Sequence, residues 1–244
     1  MNLDFTVRRW SAWAPGLASA EHWLAWAHEP RTPQGDEQPA LAEMPALLRR
    51  RMNRLGRIAL QASWDCQQAD IGMPTVFASR YGDVGRSLAL IEDLAREGAV
   101  SPTGFGLSVH NAIGAMYSIA RGDHGNAICV AAGRASAAAG MVEAAGLLAD
   151  GAAEVMLVCY DEALPADYAS FRDDAPCSWA WAWRVARPAA NDAKLSLHVS
   201  AADADDAEPT ALPASLDVMR HFLAGDASLV QQIDGRRWEW RRGG

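Results

Sequence analysis

The residues that invite chemistry lie in one stretch, "GNAICVAAGRASAAAGMVEAAG", from Gly125 to Gly146. An apolar run feeds a tight turn of small residues and then an apolar helix, and many enzymes seat a nucleophile at such a turn. The free N–H groups and the dipole at the start of a helix favour an anion. A thiolate or alkoxide gains from that field, whereas the turn here carries Arg134, a cation. Arg134 is therefore no nucleophile, and its charge must reach away to a carboxylate, a carbonyl or an acidic ligand. Ser136 is the remaining hydroxyl, but "GRASAAAG" is not the GxSxG elbow and no neighbouring His and acid can be assigned, so a helix cap is its expected role. The glycines also miss the GxGxxG spacing of a dinucleotide site, and no cofactor is expected.

Other groups carry weaker signals. His110 and Asn111 stand at the start of a helix that Ser108 can cap. A neutral imidazole beside an amide can orient a carbonyl or exchange a proton, although satisfying backbone groups at a helix start is the commoner use. Asp161 and Glu162 end an apolar strand, where functional carboxylates of α/β proteins often sit, and one of them can equally pair with a buried arginine. Arg49, Arg50, Arg51, Arg54 and Arg57 can steer an acidic partner, with a solvated helix face as the default. Cys66, Cys129, Cys159 and Cys177 have neither metal-ligand nor CxxC spacing, so packing as small hydrophobes is expected and no metal site is.

Positioning these groups requires a layered α/β core. The segment up to Pro45, with Trp10, Trp13, Trp23 and Trp26 among prolines, predicts a strand, a short helix and a long irregular connection. Leu48, Met52, Leu55, Ala59 and Ala62 recur at spacings of three and four and predict a helix over 47–62. A short strand over 74–82, a helix over 86–98, a loop "AVSPTGFGL" and a helix over 108–121 follow. The apolar runs 127–132 and 153–162 flank the small-residue helix 136–150, which indicates a parallel sheet covered on both faces. "CSWAWAWRVA" alternates with period two, placing Trp179, Trp181 and Trp183 on one face and alanines on the other, as core packing rather than an aromatic cavity. "KLSLHVSA" predicts a strand, "AADADDAEPTALPAS" an acidic loop, "SLDVMRHFLAG" a helix and "RRWEWRR" a last strand.

Composition sets the outer limits. A chain of 244 residues, half of them hydrophobic, buries a sizeable core, and a single domain over 1–244 is expected. A net charge of −8 argues against a nucleic-acid partner, which needs clustered, uncompensated cations. No apolar run is long enough to span a membrane and no signal-peptide layout opens the chain, so a cytoplasmic location is expected.

The order strand, turn, small-residue helix, Gly151, apolar strand and acid in "AICVAAGRASAAAGMVEAAGLLADGAAEVMLVCYDEA" resembles the heart of the β-ketoacyl synthases of fatty acid and polyketide assembly. Upstream, "SPTGFGLSVHNAIGAMYSIARG", "RRRMNRLGRIAL", "VFASRYGD" and "LVCYDEALP" look like the short ketosynthase-like proteins of aryl polyene and xanthomonadin-type pigment pathways. The similarity runs from Trp10 to Trp183. It implies a thiolase-like α/β fold, about one N-terminal half of a ketosynthase, with a parallel or mixed sheet covered by helices. An ungapped alignment on Gly151 places Arg134 where those enzymes carry their acyl-accepting cysteine. None of the six histidines lies in an HGT-like or GHxxG-like motif, so the Cys-His-His set of the family is missing from its expected places.

The resemblance further implies that Ala127, Ile128, Cys129, Val130 and Ala131 form a dimer interface with an active β-ketoacyl synthase, and that Ser108, His110, Asn111 and Ser136 are candidates for a tunnel or pocket. The role implied is a non-catalytic chain length factor that bounds the acyl tunnel of its partner, with an acyl carrier protein bringing the chain. Two other readings compete with it: a stand-alone acyltransferase or thioester hydrolase using Ser136 or His110, and a self-associating small-molecule binding module.

Overall fold

The computed structural model describes residues 1–68, 71–202 and 211–243. Three strands form a parallel core: β2 (Thr75–Ala78) lies between β3 (Ala127–Val130) and β4 (Glu154–Asp161). Five more join antiparallel, β1 (Asn2–Trp13), β5 (Trp179–Ala186), β6 (Leu195–Ala201), β7 (Ser228–Ile233) and β8 (Arg236–Arg242), giving one eight-stranded sheet in the order β3-β2-β4-β5-β1-β6-β8-β7. The sheet is thus mixed, parallel only around the turn that holds Arg134. β3 is its edge, and the strand is half-exposed rather than covered on both faces.

Helices α1 (Ala20–His28), α7 (Ser136–Ala149) and α8 (Ala214–Ala224) pack on one face of the sheet, and α3 (Arg54–Gln67) and α6 (Ala112–Arg121) on the other. The period-two reading of β5 is borne out: Trp179, Trp181 and Trp183 enter the first core, Ala180 and Ala182 the second. Two of these indole N–H groups find acceptors, Trp181 Nε1 on the Ser215 carbonyl at 2.9 Å and Trp183 Nε1 on the Met219 sulfur at 3.3 Å. The small residues of α7 have a steric reason. A Cβ at Gly140 would come within 2.7 Å of Leu157 Cδ1 and 3.0 Å of Ala78 Cβ, so the helix can sit this close to β2 and β4 only without one.

Four local expectations change. The predicted helix over 47–62 is two: α2 (Ala46–Arg49) ends in a turn, and α3 starts afresh at Arg54 with Asn53 as its cap, its side chain accepting the Gly56 N–H at 3.0 Å. The expected loop before residue 108 contains α5 (Pro102–Ser108), capped by Ser101 and with proline at its first position. Ser108 consequently closes α5 instead of opening α6, and its hydroxyl donates to the Phe105 carbonyl at 2.9 Å. Finally, β7 was unforeseen; it pairs with β8 through Asp234-Gly235, both at positive φ as a tight hairpin requires. The expected acidic loop falls mostly on 203–210, outside the described residues.

Candidate functional site

The ends of β2, β3 and β4 meet one loop from the far side of β4, and the site is assembled there. β3 runs into a single 3₁₀ turn, Gly133–Ala135, made possible by the positive φ of Gly133, and then into α7. Arg134 projects from this turn, partly exposed, and its Nε donates to Asp174 Oδ1 at 2.9 Å. The cation therefore leaves the positive end of α7 for a carboxylate, as its charge demands.

Asp174 holds a second arginine. Arg80, just beyond β2, donates from Nη1 to Asp174 Oδ2 at 3.3 Å and pairs through Nη2 with Asp173. Burial pushes the Asp174 carboxyl above its usual range, and the Arg134 and Arg80 cations draw part of that shift back. Two positive charges from two strand ends thus converge on one acidic loop. Tyr81 adds a tether, its hydroxyl donating to the Phe171 carbonyl at 3.1 Å.

Beneath this loop lies Asp161, at the end of β4. Its Oδ1 accepts the Ser79 hydroxyl at 2.8 Å and the Arg80 N–H at 2.9 Å. Of the two alternatives for Asp161, a functional carboxylate or an arginine partner, the contacts show neither a guanidinium nor a free oxygen pair but a cap on the β2 end. Desolvation by the surrounding protein still outweighs those bonds and pushes its carboxyl up to about 7. Glu162 is pushed to about 7 as well, by burial and by Asp83.

Of the other predicted residues, His110 joins the cluster. Its Nε2 lies 2.9 Å from the Ser79 carbonyl, which fixes the proton on that nitrogen as a donor. Ser136 is 1% exposed and its hydroxyl is engaged twice, donating to the Gly133 carbonyl at 2.7 Å and accepting the Ala132 N–H at 3.1 Å. It closes the turn instead of capping α7, whose N-cap is Ala135, and no histidine bonds it. Ser108 and Asn111 stay apart from the cluster, Asn111 exposed and without a side-chain cap bond. The arginines at 49, 54 and 57 are tied to main-chain carbonyls of Leu41, of Gly35 and Glu37, and of Met52, while Arg50 and Arg51 are exposed. Among the described residues no cluster of His, Cys, Asp or Glu could hold a metal ion, and no helix is long and apolar enough to cross a membrane.

Sequence reasoning missed Arg80, Asp173 and Asp174. The one available signal was "FRDDAPC", a pair of acids without local basic partners beyond Arg172, in a chain where an arginine sat in an electrostatically wrong place.

Residues 23–241 match the family described as "Beta-ketoacyl synthase, N-terminal domain". The chain belongs to this family, and its fold is the thiolase-like half of a ketosynthase. It is similar in structure to a chain of the ketosynthase (ApeO) in complex with its chain length factor (ApeC) from Xenorhabdus doucetiae, at a TM-score of 0.82 and 26% identity, covering 98% of this chain and 100% of that one. The ishigamide ketosynthase/chain length factor matches at 0.74 and 14% identity over 98% and 99%, and a beta-ketoacyl synthase from Burkholderia phymatum STM815 at 0.61 and 15% over 91% and 69%. No curated protein matches the sequence.

Proposed function

We propose that this protein is a ketosynthase-like chain length factor, a subunit without its own acyl-accepting nucleophile that pairs with an active β-ketoacyl synthase in the cytoplasm and helps bound that enzyme's acyl tunnel in aryl polyene-type assembly. The observation that carries the reading is Arg134, tied to Asp174 at the strand-turn-helix where the family places its cysteine. Condensation needs a thiolate to hold the chain and donors to stabilise the enolate and oxyanion. Here Ser136 is spent on the turn, and His110, whose Nε2–H goes to the Ser79 carbonyl, bonds no nucleophile among the described residues.

The extent of the match supports the same reading. Over 98% of this chain the fold follows a chain of the ApeO–ApeC complex, a ketosynthase with its chain length factor. The edge position of β3 supplies the docking element. Its outer side is unpaired among the described residues and carries Ala127, Ile128, Cys129 and Val130, with Ala131 exposed just beyond. An uncharged open edge is a template for another strand and a liability if left uncovered. An active synthase is the occupant we assign, and an acyl carrier protein the source of its chains.

Co-expression with a cognate synthase followed by size exclusion tests the proposal. The expected result is a stable 1:1 complex that makes a polyene of defined length only when both chains are present. A synthase that elutes alone and makes the same product without this chain would overturn it.

A further inference from the structure

The loop that carries Asp173 and Asp174 does more than neutralise Arg134. It is held by groups from separate elements: Arg134 from the β3–α7 turn, and Arg80 and Tyr81 from beyond β2. Arg172 ties the loop to itself, Nη2 donating to the Leu164 carbonyl at 2.7 Å. These bonds draw the loop against the seat that the family's nucleophile would occupy. Beside this latch, and without a residue of the Gly133–Ala135 turn in its wall, lies a cleft lined by Arg80, Asp161, Asp174, Cys177 and Trp179.

Its size decides what the cleft admits. The interior offers about 50 Å³, room for a few waters. Pockets for even small organic ligands run to about 300 Å³ or more. From this geometry we infer that residues 172–177 are a strap, latched by Arg134 and Arg80 through Asp174 and Asp173, that lies against the Arg134 turn and leaves the cleft beside it too small for an acyl-bearing arm. Arg134 is on this account a positioning residue: it marks the loss of the nucleophile and also fastens the closure, so that incoming chains find only the partner's site open. The inference builds on reading the Arg134 turn as that seat, yet its test needs no synthase, so the two stand or fall separately.

Cys177 is the built-in reporter. It forms part of the cleft wall, is 7% exposed, and burial holds its thiol up at about 12. The folded full chain is treated with N-ethylmaleimide, and modification is followed peptide by peptide. Asp174→Asn and Arg134→Gln are each expected to raise the rate at Cys177 about tenfold, as local opening becomes easier, while Cys66 and Cys159, buried in the sheet cores, stay unreactive. An unchanged Cys177 rate would overturn the strap, and so would a parallel rise at all three thiols, which reports general loosening. Arg134→Lys is the milder variant should the others fail to fold. It keeps the charge but loses the planar fork, and an increase of about threefold confined to Cys177 is expected; none would count against the latch.

Discussion

Ser79 Oγ donates to Asp161 Oδ1 at 2.8 Å, joining the ends of β2 and β4 beneath the Arg80–Asp174 pair. Because burial raises the Asp161 carboxyl to about 7 in spite of this bond, the folded protein binds that proton more tightly than the unfolded chain does. Glu162, raised to about 7, acts in the same direction. Between the ordinary carboxylate range and pH 7 the native state therefore carries more protons, and stability falls as pH rises through that window. Glu239 acts oppositely. Hydrogen bonds from Arg241 and Arg237 lower it to about 2, so its contribution is present above the ordinary glutamate range and is lost as pH falls toward 2. The urea midpoint is expected to peak near pH 5 and to decline by pH 8. Asp161→Asn should flatten that decline, by on the order of 1–4 kcal/mol in unfolding free energy. A midpoint that rises from pH 5 to pH 8 in the wild-type chain would contradict the assignment.

Restoring sulfur to the turn is a direct test of the missing machinery. Arg134→Cys puts a thiol at the start of α7, where the helix field favours a thiolate. No histidine of the family's HGT-like or GHxxG-like motifs accompanies it, and the one imidazole in the cluster, His110, is committed to the Ser79 carbonyl. With acyl and malonyl carrier-protein thioesters, the variant alone is expected to give no carbon–carbon bond formation. Intact-mass analysis of the carrier proteins reads this, and a chain extended by a two-carbon unit would refute the subunit role proposed here.

The legible part of this protein was whatever a local pattern determines. Period two in β5 sorted tryptophan from alanine, apolar runs separated by helices gave the parallel strands, and the charge of Arg134 against a helix start implied an acceptor before any was in view. The identity of that acceptor was not local. Asp174 lies forty positions away, on a loop with no periodicity, and only the fold brings it to the turn. Helix boundaries failed where capping competes with amphipathicity: Asn53 restarted a helix inside a continuous apolar stripe, and Ser101-Pro102 opened one inside an apparent loop. The β7–β8 hairpin was readable, since Asp234-Gly235 between two apolar-patterned segments is a strong turn signal.

The indole layer should be the most sensitive part of the core. Trp181 and Trp183 are fully buried, their ring centroids 4.6 Å apart, and each is anchored by its N–H to α8. Trp181→Ala removes that volume and strands the Ser215 carbonyl, so a loss of about 3–5 kcal/mol is expected from chemical denaturation. Trp10→Ala, partly buried at the rim of the same core, should cost markedly less. Equal losses would mean that the core is less continuous than the sheet register implies.

The partner-facing surface proposed at β3 can be probed away from that strand. Helix α4 (Val84–Glu97) has no buried residue, and it packs chiefly on α5. Ile91 and Leu94 are 56% and 49% exposed, and Phe105 of α5 is 59% exposed. α5 in turn contacts α6, and α6 contacts β3, so α6 links this apolar hairpin to the open edge. A lone helix pair presenting three large apolar side chains to water suits an interface better than a free surface. Ile91→Glu and Leu94→Glu remove apolar area that only a partner would cover. Each is expected to leave the melting temperature of the isolated chain almost unchanged, because neither side chain is buried in it, while weakening the complex with the synthase about tenfold in a titration. A variant that binds the synthase as tightly as wild type would move the interface off this hairpin and leave the β3 edge to carry the association alone.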